Sequence, residues 1–376
     1  MTLLAELKVK HIIDEVKSIS DVDLIVLRDK NALSYLFSEL YNPPPEEVSA
    51  LNVIIDVKNG DVNVFTSLID YNRFTETYRE TKVFKFIPVF SYSYTLPEGV
   101  KVLTFDDMRR EVENTITNAR MIASDTPSIC EQRLCINIRP IIEKVRRQKL
   151  DQEVELIKAA VSITEKALKS LLTYIEPGVT EKFIAGKLIE LAYSFGADGI
   201  AFSPIVAIGK NAALPHYTPK NVVFNGCEPI LIDFGVRIGG YVSDITRMIL
   251  PQKLCKEYEE VEKVSAIIND AITAALKTIK SGALASGVDK AARDLLKDHG
   301  LDVYFIHGLG HGIGVDVHEP PRLSATSRDT LLEGDVVTVE PGVYVYNRYG
   351  VRIEEDVYVG KINGEKLTSL PGVIHL

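Results

Sequence analysis

No stretch of this 376-residue chain approaches the ~18 consecutive apolar residues that a membrane helix needs. The opening segment is interrupted by Glu6, Lys8, Lys10, Asp14 and Glu15. It therefore lacks the apolar centre of a signal peptide, and a cytoplasmic location is expected. There is no Lys/Arg block, and the net charge of −9 argues against a nucleic-acid or anionic-membrane surface. Only four cysteines occur, Cys130, Cys135, Cys227 and Cys255, with no C-x-x-C spacing. They read as packed or surface thiols in a reducing compartment. Low-complexity segments and short-period repeats are absent too. What remains, 46% apolar and 25% charged residues, is the balance of a globular protein long enough for two domains.

Two rhythms divide the chain. From Asp23 to about Phe105, short apolar runs (DLIVL, NVIIDV, VFTSLI, VFKFIPVF, VKVLTF) alternate with helical patterns such as Asn31–Leu40. This predicts an α/β domain with a mixed or parallel sheet. The segment Ala123–Arg139, with Pro127 inside it and Pro140 beyond, reads as irregular, and the boundary is placed there: residues 1–138 and 139–376. Further on, Leu150, Val154, Ile157, Ala160, Val161 and Leu168 follow a 3.6 period, with Thr164 the one polar residue on the stripe. Thr180 is a fair cap for a helix through Ser194. Two more helices (Glu257–Ile279, Gly287–His299) and a strand-rich end (Val336–Val359) follow.

In LIDFGVRIGGYVSDITRMIL, Gly239-Gly240 is a good two-residue hairpin turn. With that turn, Ile238 faces Tyr241 and Asp233 faces Thr246, so Asp233 and Asp244 share one face as diagonal neighbours. Two carboxylates so placed repel unless a cation joins them. On the hairpin alone, a solvent-facing pair of acids is an equal alternative. The segment YFIHGLGHGIGVDVHEPP holds three of the seven histidines, His307, His311 and His318, interleaved with glycines. Imidazoles clustered on such a path commonly ligate metal or handle substrate. Glu340 ends an apolar run before a Pro-Gly turn. In VRIEEDVYV, Arg352, Glu354 and Asp356 alternate with Val351, Ile353, Glu355 and Val357.

Taken in order, D-F-G-x(5)-Y-x-S-D-I-T-R, H-G-L-G-H-G-I-G-x-D-V-H-E, T-V-E-P-G and V-R-I-E-E-D resemble the pita-bread metallopeptidases. Within them the proline-specific branch, Xaa-Pro dipeptidases and aminopeptidases, is the nearest. The resemblance implies a creatinase-like α/β N-terminal domain and an α+β pita-bread domain with a curved antiparallel sheet. It implies metal ligation by Asp233, Asp244, His311, Glu340 and Glu354, and a pocket lined by His216, His307 and His318. Arg352 corresponds to an arginine behind the ligands, and Arg322 in H-E-P-P-R to a contact for the substrate carboxylate. A homodimer is implied as well.

Four carboxylates and one neutral imidazole carry −4, the charge that two divalent cations balance. An oxygen-rich donor set favours Mn²⁺ or Co²⁺ over a structural Zn²⁺. The mechanism expected is attack by a metal-bridging hydroxide with Glu340 as general base, and His307 or His216 steadying the oxyanion. A dipeptidase is placed ahead of an aminopeptidase because the Glu340–Glu354 interval is short. Methionine aminopeptidases, which usually lack such a leading domain, rank third. A metal-free hydrolase or binding scaffold on the same fold is the remaining alternative, although no ligand position is replaced.

Overall fold

In the computed structural model, which describes residues 4–40, 50–130 and 134–376, the chain divides into two compact units, Met1–Arg146 and Arg147–Leu376. The division falls eight residues after the expected 138/139 boundary. The cause is the helix Arg139–Arg147, whose Ile141, Ile142 and Val145 are buried in the first unit's core.

The first unit is built on one mixed eight-stranded sheet. Its strands run, edge to edge, Tyr94–Thr95, Lys101–Thr104, Phe84–Phe90, Val62–Ser67, Ala50–Asp56, Leu24–Leu27, Ile122–Ser124 and Cys135–Asn137. The expected apolar runs form these strands, and the run VFTSLI turns helical after Ser67, whose hydroxyl accepts from Ile69 N. Of the segment expected to be irregular, Ala123–Arg139, positions 131–133 lie outside the described residues, and the rest is more ordered than its prolines suggest. It contributes Ile122–Ser124, parallel to Leu24–Leu27, and Cys135–Asn137 beyond it. Pairing with a strand about 100 positions earlier decides its structure, and local propensity does not see that.

The second unit carries the candidate site. Helix Asp151–Leu171 buries Val154, Ile157, Ala160, Val161 and Leu168, as the periodicity predicts. Thr164, the polar residue of that stripe, is buried at 2.8 Å from Ser243 Oγ, which in turn accepts from Val236 N. The hydroxyl is thus satisfied within the interior. Thr180 caps Glu181–Ser194 by accepting from Phe183 N.

The hairpin register is the expected one: Ile238 faces Tyr241, and Asp233 faces Thr246. Gly239 and Gly240 take φ of 54° and 88°, left-handed values that a two-residue turn of this kind demands. The ladder is split, however. Ile230–Phe234 and Ile245–Leu250 join a four-stranded sheet with Ile205–Ile208 and Val373–His375, while Val236–Ile238 and Tyr241–Val242 join Gly199–Ile200. A second sheet of five strands contains Glu319–Leu323, Gly310–Gly312, Val336–Val339, Glu355–Val359 and Gly364–Lys366. Gly342–Val345 and Tyr349–Arg352 form a short two-stranded hairpin.

Helices Glu259–Leu276 and Ala285–Asp298 pack Val261, Ile268, Ile272, Val288, Ala292 and Leu296 against Leu231, Met248, Val337, Val339, Val351 and Val357. Asp233 and Thr246 follow Leu231 and Met248 at period two, so they lie on the same face. The candidate site sits where that apolar face gives way to carboxylates. Among the described residues no helix is long and apolar enough to cross a membrane.

Candidate metal centre

Five side chains from separate strands and turns come together in this second unit. Asp233 ends the Ile230–Phe234 strand, and Asp244 precedes Ile245–Leu250. His311 is central in Gly310–Gly312, and Glu340 follows Val336–Val339. Glu354 does not lie within a continuous strand, as the alternation in VRIEEDVYV suggested. Strand pairing stops at Arg352 and resumes at Glu355 in a different sheet. Between them the Glu354 N–H donates to Thr246 O at 3.2 Å, and this crossing carries the carboxylate to the Asp244 side. Gly310 is required for the packing: a Cβ there would lie 2.1 Å from Thr338 O.

Donor atoms of Asp244, His311 and Glu354 all lie within 4.8 Å of one another. His311 Nε2 is 3.8 Å from Asp244 Oδ2 and 3.4 Å from Glu340 Oε1. His311 Nδ1 is 3.2 Å from Gly312 O, so the ring proton belongs on Nδ1, donating to that carbonyl. Nε2 then faces two carboxylate oxygens, an arrangement that needs positive charge among them, as a proton on Nε2 or as a cation. It is also the usual one for a ligating imidazole, whose other nitrogen is oriented by a carbonyl.

Burial sharpens the conflict. Asp233, Asp244 and Glu354 are each less than a tenth exposed, and Asp233 Oδ1 is buried with no hydrogen-bond partner. Burial, then Glu354 and Asp233, push the Asp244 carboxyl well above its ordinary range. Burial, then Glu340 and Asp233, do the same to Glu354. Asp233 is raised by burial, against the opposing charge of Arg352. Glu340 differs: burial would raise it, but contact with His311 and the charges of His307 and Arg352 hold it below the usual value. The donor set therefore fits divalent cations. A buried oxygen without a partner, a ring nitrogen aimed at carboxylates and uncompensated acids all call for positive charge at the same place.

Arg352 supplies part of it. Its Nη2 is 2.6 Å from Asp233 Oδ2, its Nε donates to Thr246 Oγ1 at 3.0 Å, and Thr246 Oγ1 donates to Glu354 Oε2 at 2.7 Å. Its Nη1 donates to Tyr344 OH at 3.0 Å, and that hydroxyl lies 2.9 Å from His307 Nε2. His307 Nδ1 is 2.8 Å from Gly308 O. A consistent proton assignment has Nδ1–H on Gly308 O and Tyr344 O–H donating to Nε2, so both ring nitrogens are engaged. Burial holds the His307 imidazole below its ordinary pKa and pushes the Tyr344 phenol up to about 12.

The His318 ring lies tilted against that of His311, 4.4 Å between centroids, and is solvent-exposed, as is His216. Burial, then His311, lower the His318 pKa, with Arg322 and His216 contributing, so these side chains share one electrostatic neighbourhood. Arg322 stands opposite His311 across the strand pair Gly310–Gly312 and Glu319–Leu323, and its side chain is exposed.

Several contributors were given no role from the sequence. Thr246 and Arg247 touch Glu354, Tyr344 bridges Arg352 and His307, and Arg247 Nη2 lies 2.9 Å from Glu355 Oε2 in a fully buried ion pair. Asp356 Oδ2 accepts from Asp244 N at 3.1 Å. Glu181 is fully buried and accepts from Ile208 N, Asn211 Nδ2, Tyr217 OH and Lys220 N, at 2.8–2.9 Å, bracing the loop that bears His216. Thr246, Arg247 and Asp356 had a signal, their places inside the D-I-T-R and I-E-E-D motifs, whereas Tyr344 and Glu181 lie outside them.

The cysteines differ from expectation. Cys130 pairs with Cys135, and Cys227 with Cys255, at Cα–Cα distances of 4.8 and 5.0 Å, leaving none free. Glu228 lies beside the second pair, but its carboxylate accepts from Asn225 N, Asn225 Nδ2 and Cys227 N. With its sulfurs bonded to each other, that cluster offers no thiolate.

A model of metallopeptidase family M24 matches residues 155–361. A putative Xaa-Pro aminopeptidase of Mycoplasma genitalium is 37% identical over 240 residues, 62% of this chain and 65% of that protein. An Xaa-Pro dipeptidase of Pyrococcus furiosus is 35% identical over 231 residues, 61% of this chain and 66% of its own. The chain thus spans about two thirds of the length of these curated relatives. Among solved structures, an Xaa-Pro dipeptidase from Bacillus anthracis superposes with a TM-score of 0.77 at 26% identity, covering 99% of this chain and 100% of that one. The chain shares its two-domain pita-bread fold.

Proposed function

The chain belongs to metallopeptidase family M24, and from that membership we propose that it is an Xaa-Pro dipeptidase, with Asp233, Asp244, His311, Glu340 and Glu354 holding two divalent cations. The observation that carries the reading is the position of His311 Nε2, 3.4 Å from Glu340 and 3.8 Å from Asp244, with Nδ1 already committed to Gly312 O. Oxygen-rich ligation favours Mn²⁺ or Co²⁺. When bound, such cations polarise a carbonyl and lower the pKa of water.

The remaining roles fall to the chain's own residues. Glu340 is the least buried of the four acids, and His311, His307 and Arg352 keep it ionised. It is therefore available to accept the proton of the attacking water and return it to the departing nitrogen. An X–Pro bond has no N–H, so recognition must use the amine, the ring and the termini. His318 and Arg322, in one neighbourhood at the rim, suit the proline ring and its carboxylate. For the oxyanion, His216 is favoured over His307, whose nitrogens are engaged by Gly308 O and Tyr344 OH.

Arg322 and the short Gly342–Arg352 hairpin favour a dipeptidase over an aminopeptidase acting on longer peptides. Hydrolysis of an Xaa-Pro dipeptide and an Xaa-Pro-Yaa tripeptide, with Mn²⁺, Co²⁺ or Zn²⁺ added separately to apoprotein, tests the choice. Faster tripeptide cleavage selects the aminopeptidase. Stoichiometric metal analysis tests the metal-free alternative. The proposal extends to a cytoplasmic homodimer, to be checked by light scattering and fractionation. The two cysteine pairs bear on the location, because disulfides persist in oxidising compartments and in the cytosol of hyperthermophiles.

A further inference from the structure

Helix Ala285–Asp298 supplies none of the five clustered donors, yet one ion pair on it grips the backbone of the histidine loop at three places. Asp289 is fully buried, and Arg293, one turn later, meets it edge-on: Nε to Oδ2 at 3.0 Å and Nη2 to Oδ1 at 3.1 Å. The remaining guanidinium N–H groups point into the loop. Nη1 donates to Phe305 O and Nη2 to His307 O, both at 2.9 Å. Asp289 Oδ1 accepts from Leu309 N at 3.1 Å. The guanidinium also lies 4.1 Å over the Phe305 ring. Beyond the grip, Leu309 O accepts from Glu340 N at 2.8 Å.

A solvent-exposed i,i+4 pair contributes only about 0.2–0.5 kcal/mol to a helix and has no reason to address another segment. This pair has its acid sealed from water and its outer hydrogen bonds directed to alternate residues 305, 307 and 309. The loop it holds contains Gly308 and Gly310, whose backbone is otherwise permissive. A histidine that lines the pocket and a glutamate that acts on a reacting bond need their backbone fixed, since a misplacement of about 1 Å can cost a hundredfold in rate.

We propose that Asp289 and Arg293 are positioning residues that hold the main chain of His307, and through Leu309 that of Glu340, in register for peptide hydrolysis. The proposal rests on the dipeptidase reading for its kinetic consequence only. Lysine cannot replace the arginine, because four directed N–H groups leave one rigid plane.

The test uses full-length wild type, Arg293→Lys, Arg293→Ala and Asp289→Asn. On an Xaa-Pro dipeptide the expected result is a kcat lowered ~10–100-fold, KM changed less than about threefold, and metal content unchanged. Millimolar guanidinium should restore part of the Arg293→Ala activity. In metal-free protein, amide exchange at residues 305–310 should accelerate while the Ile230–Phe234 and Ile245–Leu250 strands stay protected. Wild-type kcat in both Arg293 variants, or unchanged exchange at 305–310, overturns the proposal. So does faster exchange spread evenly over the whole unit, which marks a purely structural pair. A wild type inactive on every Xaa-Pro substrate sinks the dipeptidase reading instead and leaves the exchange measurement to judge the clamp.

Discussion

The guanidinium of Arg352 lies 2.6 Å from Asp233 Oδ2, and it is the cation that answers one of the four clustered acids. Its remaining donors are spent on Thr246 and Tyr344. Asp244 and Glu354 are left with raised pKa values and, among the described residues, no comparable partner.

That imbalance sets a pH dependence for the chelated protein. A carboxyl whose folded pKa exceeds its unfolded value binds more protons when folded, so stability falls as pH rises from about 4 through the folded pKa. Asp233, Asp244 and Glu354 shift this way, and Glu340 alone shifts the other way. After chelation the melting temperature should be lower at pH 7.5 than at pH 5.5. Added Mn²⁺ should reverse the order and release protons on binding. Calorimetry in two buffers of different ionisation enthalpy measures both. A melting temperature indifferent to pH and metal would contradict the cluster's assignment.

Replacing Glu340 by Gln removes the proposed base while keeping its shape. Turnover of an Xaa-Pro dipeptide should fall by roughly 10²–10⁴-fold, the range general bases contribute. Far-UV circular dichroism should be unchanged. Activity within about tenfold of wild type would reassign the role.

Tyr344 links Arg352 to His307 through one hydroxyl. Tyr344→Phe leaves the ring in place but frees His307 Nε2. We expect kcat to drop ~10–100-fold, as for other residues that orient a site from behind it. Steady-state kinetics beside a thermal melt checks this, and an equal loss in both would point to packing alone.

Arg322 is exposed, so its removal should be structurally silent. Arg322→Ala should raise KM for an Xaa-Pro dipeptide by about tenfold, the worth of one charge-assisted hydrogen bond. For a tripeptide, whose carboxylate is one residue further on, the change should be small. Parallel KM shifts for both substrates would remove Arg322 from carboxylate recognition.

Glu181 uses all its acceptor positions on four donors around the His216 loop. Glu181→Gln replaces two acceptor sites by donors and strands N–H groups of the loop. A loss of roughly 2–4 kcal/mol in urea unfolding is expected, together with a raised KM.

The convergence of Asp233, Asp244, His311, Glu340 and Glu354 was legible because each sits in a short motif whose residue type is chemically constrained. The diagonal placement of Asp233 and Asp244 followed from the Gly239-Gly240 turn, since a period-two ladder leaves no freedom once its turn is known. Contacts between distant segments were not legible. Tyr344, Asp289, Arg293 and Glu181 act on backbone or side chains that only the fold brings near; the i,i+4 spacing of Asp289 and Arg293 shows their pairing but not the loop they hold. The cysteine pairing is of the same kind: Cys227 and Cys255 flank the strands Ile230–Phe234 and Ile245–Leu250, whose pairing brings them together. Glu354 was placed on an unbroken strand because alternation alone cannot show where a chain leaves one sheet for another.

The Thr246–Glu354 and Arg352–Asp233 hydrogen bonds join residues 108 and 119 positions apart. Closures of such length form late and slowly, because chain entropy is surrendered before any contact rewards it. A partly collapsed chain would hold its acids on separate strands with poor grip on a cation. Uptake of metal during refolding is then a clock for the last step of assembly, lagging behind the appearance of helix.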